Sequence, residues 1–142
     1  MADISKTALN VRGLPETQTL SLQCGEAIDV GEAVYLKSDG KVWLADADAA
    51  DTAQAIGICI AVGAYGALSS VANDQVDVAV YGPVAGFSGM TPGAEVFSST
   101  TAGAIADTAP AGSSGDYRWT IGFALKADVI FVKPYTTDVA AQ

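Results

Sequence analysis

The side chains that could do chemistry are few, and their spacing suits none of the usual reactions. The chain of 142 residues contains no histidine, so a Ser-His or Cys-His nucleophile pair cannot be built from it. Asp46, Asp48 and Asp51 form an acidic cluster, and clustered carboxylates suit Ca2+. An EF-hand loop opened at Asp46 would need Gly in its sixth place and Glu in its twelfth; Asp51 and Gly57 stand there instead. The cluster reads as a solvated loop, with no metal. Gly82, Gly86, Gly89 and Gly93 are followed by no Lys-Ser or Lys-Thr, so they read as turn residues rather than a phosphate loop. Lys41 lies just past a hairpin turn, where biotinyl and lipoyl carrier domains present their lysine between Met or Asp neighbours; the context here is Gly40-Lys41-Val42. Cys24 and Cys59 sit in the apolar stretches SLQC and IGICIA and read as buried free thiols. The expectation is a protein without catalysis, cofactor or metal.

The elements that would position such groups point the same way. Only 16% of residues are charged and Gly occurs 15 times, a composition that suits a turn-rich β protein. The net charge is −9, and an acidic surface repels phosphate, so direct nucleic-acid binding is not expected. Within residues 1–16, Lys6 and Arg12 balance Asp3 and Glu16, so the body carries the whole excess. MADISKTALN has no apolar signal core. No window approaches the roughly 18 apolar residues of a membrane span. Synthesis in a cytoplasm and no membrane partner are expected.

Along the chain, period-two alternation predicts strands over 19–24, 33–38, 41–46, 55–63, 76–84, 95–100, 104–107, 117–125 and 129–134, with TTDVAAQ as a tail. Asp39-Gly40 between alternating segments is a strong hairpin signal. Sixty-two residues on, a similar unit returns. Gly31, Val34 and Tyr35 match Gly93, Val96 and Phe97; Gly40, Val42 and Asp46 match Gly103, Ile105 and Asp107; Ile56-Gly57-Ile58 matches Ile121-Gly122-Phe123. One such unit is too small to cover its own apolar face. The fold class expected is all-β, a sandwich or barrel of two pseudo-repeated hairpin units. Residues 1–18 are read as an extended N-terminal arm and 19–142 as a single β domain, with pseudo-repeats about 19–63 and 76–133.

The run Gly31-Glu-Ala-Val-Tyr-Leu, Ser38-Asp-Gly-Lys-Val, Ala45-Asp-Ala-Asp-Ala-Ala and Ala55-Ile-Gly-Ile resembles the capsid cement, or head-decoration, proteins of tailed bacteriophages. So do the run from Gly82-Pro-Val-Ala-Gly-Phe to Gly-Ala-Glu-Val-Phe97, the stretch Gly103-Ala-Ile-Ala-Asp-Thr-Ala-Pro, and Ile121-Gly-Phe-Ala-Leu. The likeness spans residues 19–133 and leaves out the first 18. It implies a β-rich structural virion protein on the outer surface of an icosahedral head, commonly a homotrimer, with the major capsid protein as partner and no active site. On that reading the arm docks on the capsid protein through Ile4, Leu9, Val11 and Leu14, with Lys6 and Arg12 meeting acidic patches. Tyr35, Trp43, Phe87, Phe97 and Trp119 are read as core or subunit-interface aromatics. A β-rich adhesion or tail-fibre module binding surface glycan is the alternative, favoured by an exposed aromatic-plus-acid groove. An enzyme or carrier domain comes third.

Overall fold

The computed structural model describes residues 3–49, 51–63, 67–109 and 117–140, the last six of these by their backbone. The fold is all-β, a curled antiparallel sheet forming a half-barrel. The strands are β1 (Ser5–Lys6), β2 (Arg12–Gly13), β3 (Gln18–Gln23), β4 (Ala33–Leu36), β5 (Val42–Leu44), β6 (Ala55–Val62), β7 (Gln75–Ala85), β8 (Phe87–Ser88), β9 (Glu95–Ser98), β10 (Ile105–Ala106), β11 (Tyr117–Lys126) and β12 (Val129–Ala140). Among the described residues a single 3-10 turn covers Ala8–Asn10. No helix of the described residues is long and apolar enough to cross a membrane.

The main sheet runs β10-β9-β11-β12-β7-β6-β4-β5, with β2 and β3 also paired to β7. This order has a mirrored logic. In each half a hairpin (β4–β5 or β9–β10) is followed in the chain by a strand (β6 or β11) that pairs with the hairpin's first strand. The registers agree residue for residue: Ala33↔Ile58, Val34↔Gly57 and Tyr35↔Ala55 in one half, Glu95↔Phe123, Val96↔Gly122 and Phe97↔Thr120 in the other. Register shifts also fall at matching places, between Val34 and Tyr35 and between Gly122 and Thr120. The Gly31 N–H donates to the Cys59 carbonyl (2.8 Å), as the Gly93 N–H does to that of Ala124 (2.7 Å).

Local chemistry explains the hairpin at residues 36–42. The Asp39 carboxylate accepts the Lys41 N–H at 2.9 Å, and Gly40 takes φ +82°, a conformation that costs an L side chain roughly 1–2 kcal/mol. The core is aliphatic: Ile28, Ile58, Ile121, Ile130, Val34, Val42, Val76, Val78, Val84, Val96 and Val132 are all fully buried. Each such side chain contributes about 1.5–3 kcal/mol through burial.

Two segments differ from the sequence expectation. The stretch read as a tail continues β12, whose pairing with β11 runs to Tyr117↔Ala140. Strand pairing needs only backbone groups there, so the polar composition of TTDVA does not forbid it. Residues 3–18 do not project. Asp3 and Ile4 lie along β10, with the Ile4 N–H on the Ile105 carbonyl (2.7 Å); β1 pairs with β8 and β2 with β7.

Candidate interaction surfaces

The arm residues fall into two groups. Val11 is 6% exposed and belongs to the core, and Ile4 packs against that core. Leu14 is half-buried, and its N–H donates to the Pro83 carbonyl (3.0 Å). Lys6 and Arg12 are exposed. The Lys6 stem crosses Gly31 so closely that a Cβ there would meet its Cδ at 2.4 Å. Arg12 turns back to the Asn10 carbonyl (3.2 Å). Leu9 is the outlier at 77% exposure. The arm therefore buries part of its apolar set beneath itself and presents the rest.

Its seat is made by glycines. A Cβ on Gly86 would stand 2.5 Å from the Val11 Cα, and one on Gly82 2.8 Å from the Thr17 Cα. Both glycines hold positive φ, +111° and +118°, so backbone conformation and close approach demand the same residue type. Beside this track the arm forms one wall of an apolar groove of about 390 Å³, lined among others by Leu9, Val11, Val30, Ile60, Val62 and Leu68. Leu9 and the partly exposed Leu68 stand on its rim. Exposed apolar side chains gathered around a concavity mark contact sites more often than scattered ones do.

The aromatics expected at a subunit interface are placed unequally. Tyr35, Phe87 and Phe97 are buried in the chain's own fold; β4 and β9 bury consecutive residues, so both faces of these strands are covered there. Trp119 is half-buried and its Nε1 donates to the Ala55 carbonyl (2.9 Å). Trp43 is also half-buried. Its ring has the Lys37 Nζ at 4.2 Å and Gly25 against it, and its Nε1 donates to Asp39 (3.2 Å). These two tryptophans are the members of the set with surface left to offer.

A second aromatic group was not anticipated. Phe123 and Phe131 stack at 5.3 Å, and Tyr81 meets Phe131 edge-on at 5.2 Å. They form a partly exposed ladder across β11, β12 and β7. Such pairs contribute about 0.5–1.5 kcal/mol each beyond the area they bury. Phe131 stands between Ile130 and Val132, both fully buried, so alternation turns it to the opposite face of the strand.

The groups weighed for chemistry are engaged in the fold. Asp46 accepts the Asp48 N–H (3.0 Å) and Asp51 the Thr52 N–H (3.1 Å). Among the described residues no three His, Cys, Asp or Glu side chains converge as metal ligands do. Lys41 donates to the Asn73 amide oxygen (2.8 Å). Both cysteines are buried and free. Cys24 lies 3.4 Å from the Ser70 hydroxyl, and burial pushes the Cys59 thiol up to about 12, so it stays protonated and unreactive at neutral pH. Comparison with protein-family models finds no match, and comparison with curated proteins finds none either.

Proposed function

We propose that this chain is a structural protein of a tailed-phage head, binding the outer surface of the capsid lattice through the face that carries Leu9. The observation that carries the reading is the pairing of a seated arm with an apolar groove on an otherwise acidic body. The body holds the net charge of −9, which favours solubility at high copy number. The groove and the Leu9 side chain supply apolar area free of that charge, where desolvation favours contact. The resemblance over residues 19–133 supplies the partner, the major capsid protein. Many copies on one shell let modest contacts act together.

Deleting the arm is a poor test, because Val11 is part of the core and Ile4 covers the β10 edge. Leu9→Asp is the sharper one, since the side chain is free of the fold. The variant should keep its circular dichroism and melting temperature. It should co-sediment with undecorated heads at least about tenfold more weakly than the parent, a loss of roughly 1.4 kcal/mol. Full decoration by the variant would end the proposal.

A further inference from the structure

Each half of the sheet opens with a strand that pairs with its last one: β3 with β7, and the end of β7 with β12. In the first half the opening strand also reaches the hairpin. Cys24 bridges Val42, and the Gly25 N–H donates to the Val42 carbonyl (2.9 Å), so the strands close on themselves. Among the described residues the second half has no such direct bridge. The counterpart of Val42 is Ile105, and the arm lies between it and β8. Ser5 and Lys6 pair with Ser88 and Phe87 on one side. On the other, Asp3 bridges Ala106, the Ile4 N–H donates to the Ile105 carbonyl (2.7 Å), and the Ser99 hydroxyl donates to the Asp3 carboxylate (2.6 Å). Residues 3–6 therefore fill a slot that the first half does not have.

The arm joins β3 through a turn at residues 14–17. Glu16, exposed and not a glycine, takes φ +78° there, in the left-handed region that L side chains avoid. Pro15 before it biases Leu14 towards extended backbone. A bond from the Thr17 N–H to the Leu14 carbonyl (3.1 Å) closes the turn, and water can replace one such bond at little net cost. Opening the turn relieves Glu16. Charge also lets the arm cross between copies. Lys6 and Arg12 balance Asp3 and Glu16, so the arm escapes the repulsion that two bodies of −9 each feel. At its seat the Lys6 stem crosses Gly31, and its charge favours the Glu32 carboxylate.

We propose that the slot between β8 and β10 accepts the arm of a second copy, and that two chains exchange residues 3–13. Every contact of the arm with its seat, the close approach of Val11 to Gly86 included, is the same whichever chain supplies the arm. Exchange therefore costs no contact inside the slot, and swapping of this kind is a low-cost route to association. The balance rests on concentration, which offsets the lost freedom of two chains, and on the turn, where release of Glu16 favours the exchanged form. Straightened, residues 14–17 reach about 14 Å, so the two copies sit side by side with crossed arms. The inference does not depend on the capsid reading.

Two single variants mixed in equal amounts test it. Ser5 and Ser88 are exposed and directly opposed, so Ser5→Cys and Ser88→Cys should leave the fold intact. Cys24 and Cys59 are buried and stay out of the reaction. After incubation at high concentration and mild oxidation, non-reducing electrophoresis should show a cross-linked heterodimer. It should exceed the homodimer that either variant forms alone by about tenfold or more, since only exchange seats one chain's residue 5 against the other's residue 88. Heterodimer no more abundant than those homodimers would overturn the proposal. A hinge variant gives a second measurement. Glycine takes positive φ without strain, so Glu16→Gly in both chains should lower the cross-linked yield about fivefold or more. An unchanged or higher yield would reject exchange through this turn.

Discussion

The Asp39-Gly40 turn and the Gly103 turn hold equivalent places in the two halves, and the chain treats them in opposite ways. Gly40 has nothing within 4 Å of where a Cβ would stand; Gly103, at a similar positive φ, faces the Glu32 Oε2 at 2.6 Å. The Gly103 N–H donates to the Ala45 carbonyl (2.8 Å), and its own carbonyl accepts the Ala33 N–H (2.9 Å). Further bonds run the same way, from the Ala47 N–H to the Ser99 carbonyl (2.8 Å) and from the Ser98 hydroxyl to that of Ala53 (2.8 Å). The second turn is thus a fastening into the first half, while the first turn remains in solvent. Two copies of one unit offer identical faces, and packing needs complementary ones. The sheet faces diverged too. Ala33, Ile58 and Ala79 are fully buried, whereas their counterparts Glu95, Phe123 and Phe131 are half-exposed.

The largest expected effect probes what the halves still share. A Cβ on Gly57 would stand 2.0 Å from the Ala79 carbonyl oxygen, and one on Gly122 2.0 Å from that of Phe131. Backbone cannot yield cheaply, so Gly57→Ala and Gly122→Ala should each lose about 3 kcal/mol or more in urea unfolding. If either one fell within about 1 kcal/mol of the parent, the equivalence of the two strands would fail. The next test separates the turns. Gly40→Ala should cost only the left-handed backbone penalty of about 1–2 kcal/mol. Gly103→Ala should cost at least about 1 kcal/mol more, because Glu32 and the bonds to Ala33 and Ala45 must shift. Equal losses would mean that the second turn is not a fastening.

The smallest effect concerns Glu32, whose counterpart in the second half is Ala94. Burial raises the Glu32 pKa, partly offset by the Asp29 N–H on its carboxylate (2.7 Å) and by the Lys6 charge. A carboxyl with a raised folded pKa contributes stability that is fully present below its unfolded value and lost as pH rises through the folded one. Glu32→Gln should therefore be more stable than the parent at neutral pH and nearly equal to it in acid. The gain should stay below about 1 kcal/mol, because the side chain is half-exposed and water screens it. A variant less stable at neutral pH would show that the carboxylate is held by its partners more strongly than burial disfavours it.

Local signals were readable in the sequence wherever their cause was local. The Asp39-Gly40 turn needs only its own side chain and a glycine, and the strands around Val34, Val76 and Ile121 announce themselves by alternation. The seating of the arm was not readable. Val11 finds its place against Gly86, some seventy-five residues on, and nothing near Val11 records that. The inward Phe87 and Phe97 and the outward Phe123 and Phe131 have similar neighbours in sequence. Which face the rest of the chain covers decides between them, and that is a property of the whole packing.

The bond from Ile4 to Ile105, and that from the Ser99 hydroxyl to Asp3 (2.6 Å) across 96 positions, set an order of events during synthesis. Asp3 and Ile4 have no seat until the polypeptide as far as β10 has followed them. Val11 must wait for Gly86, and Ile4 longer still, uncovered while β10 is unmade. A ribosome stalled before Ile105 would therefore hold a nascent chain with Ile4 uncovered, a natural client for chaperones until the hairpin of β9 and β10 is complete.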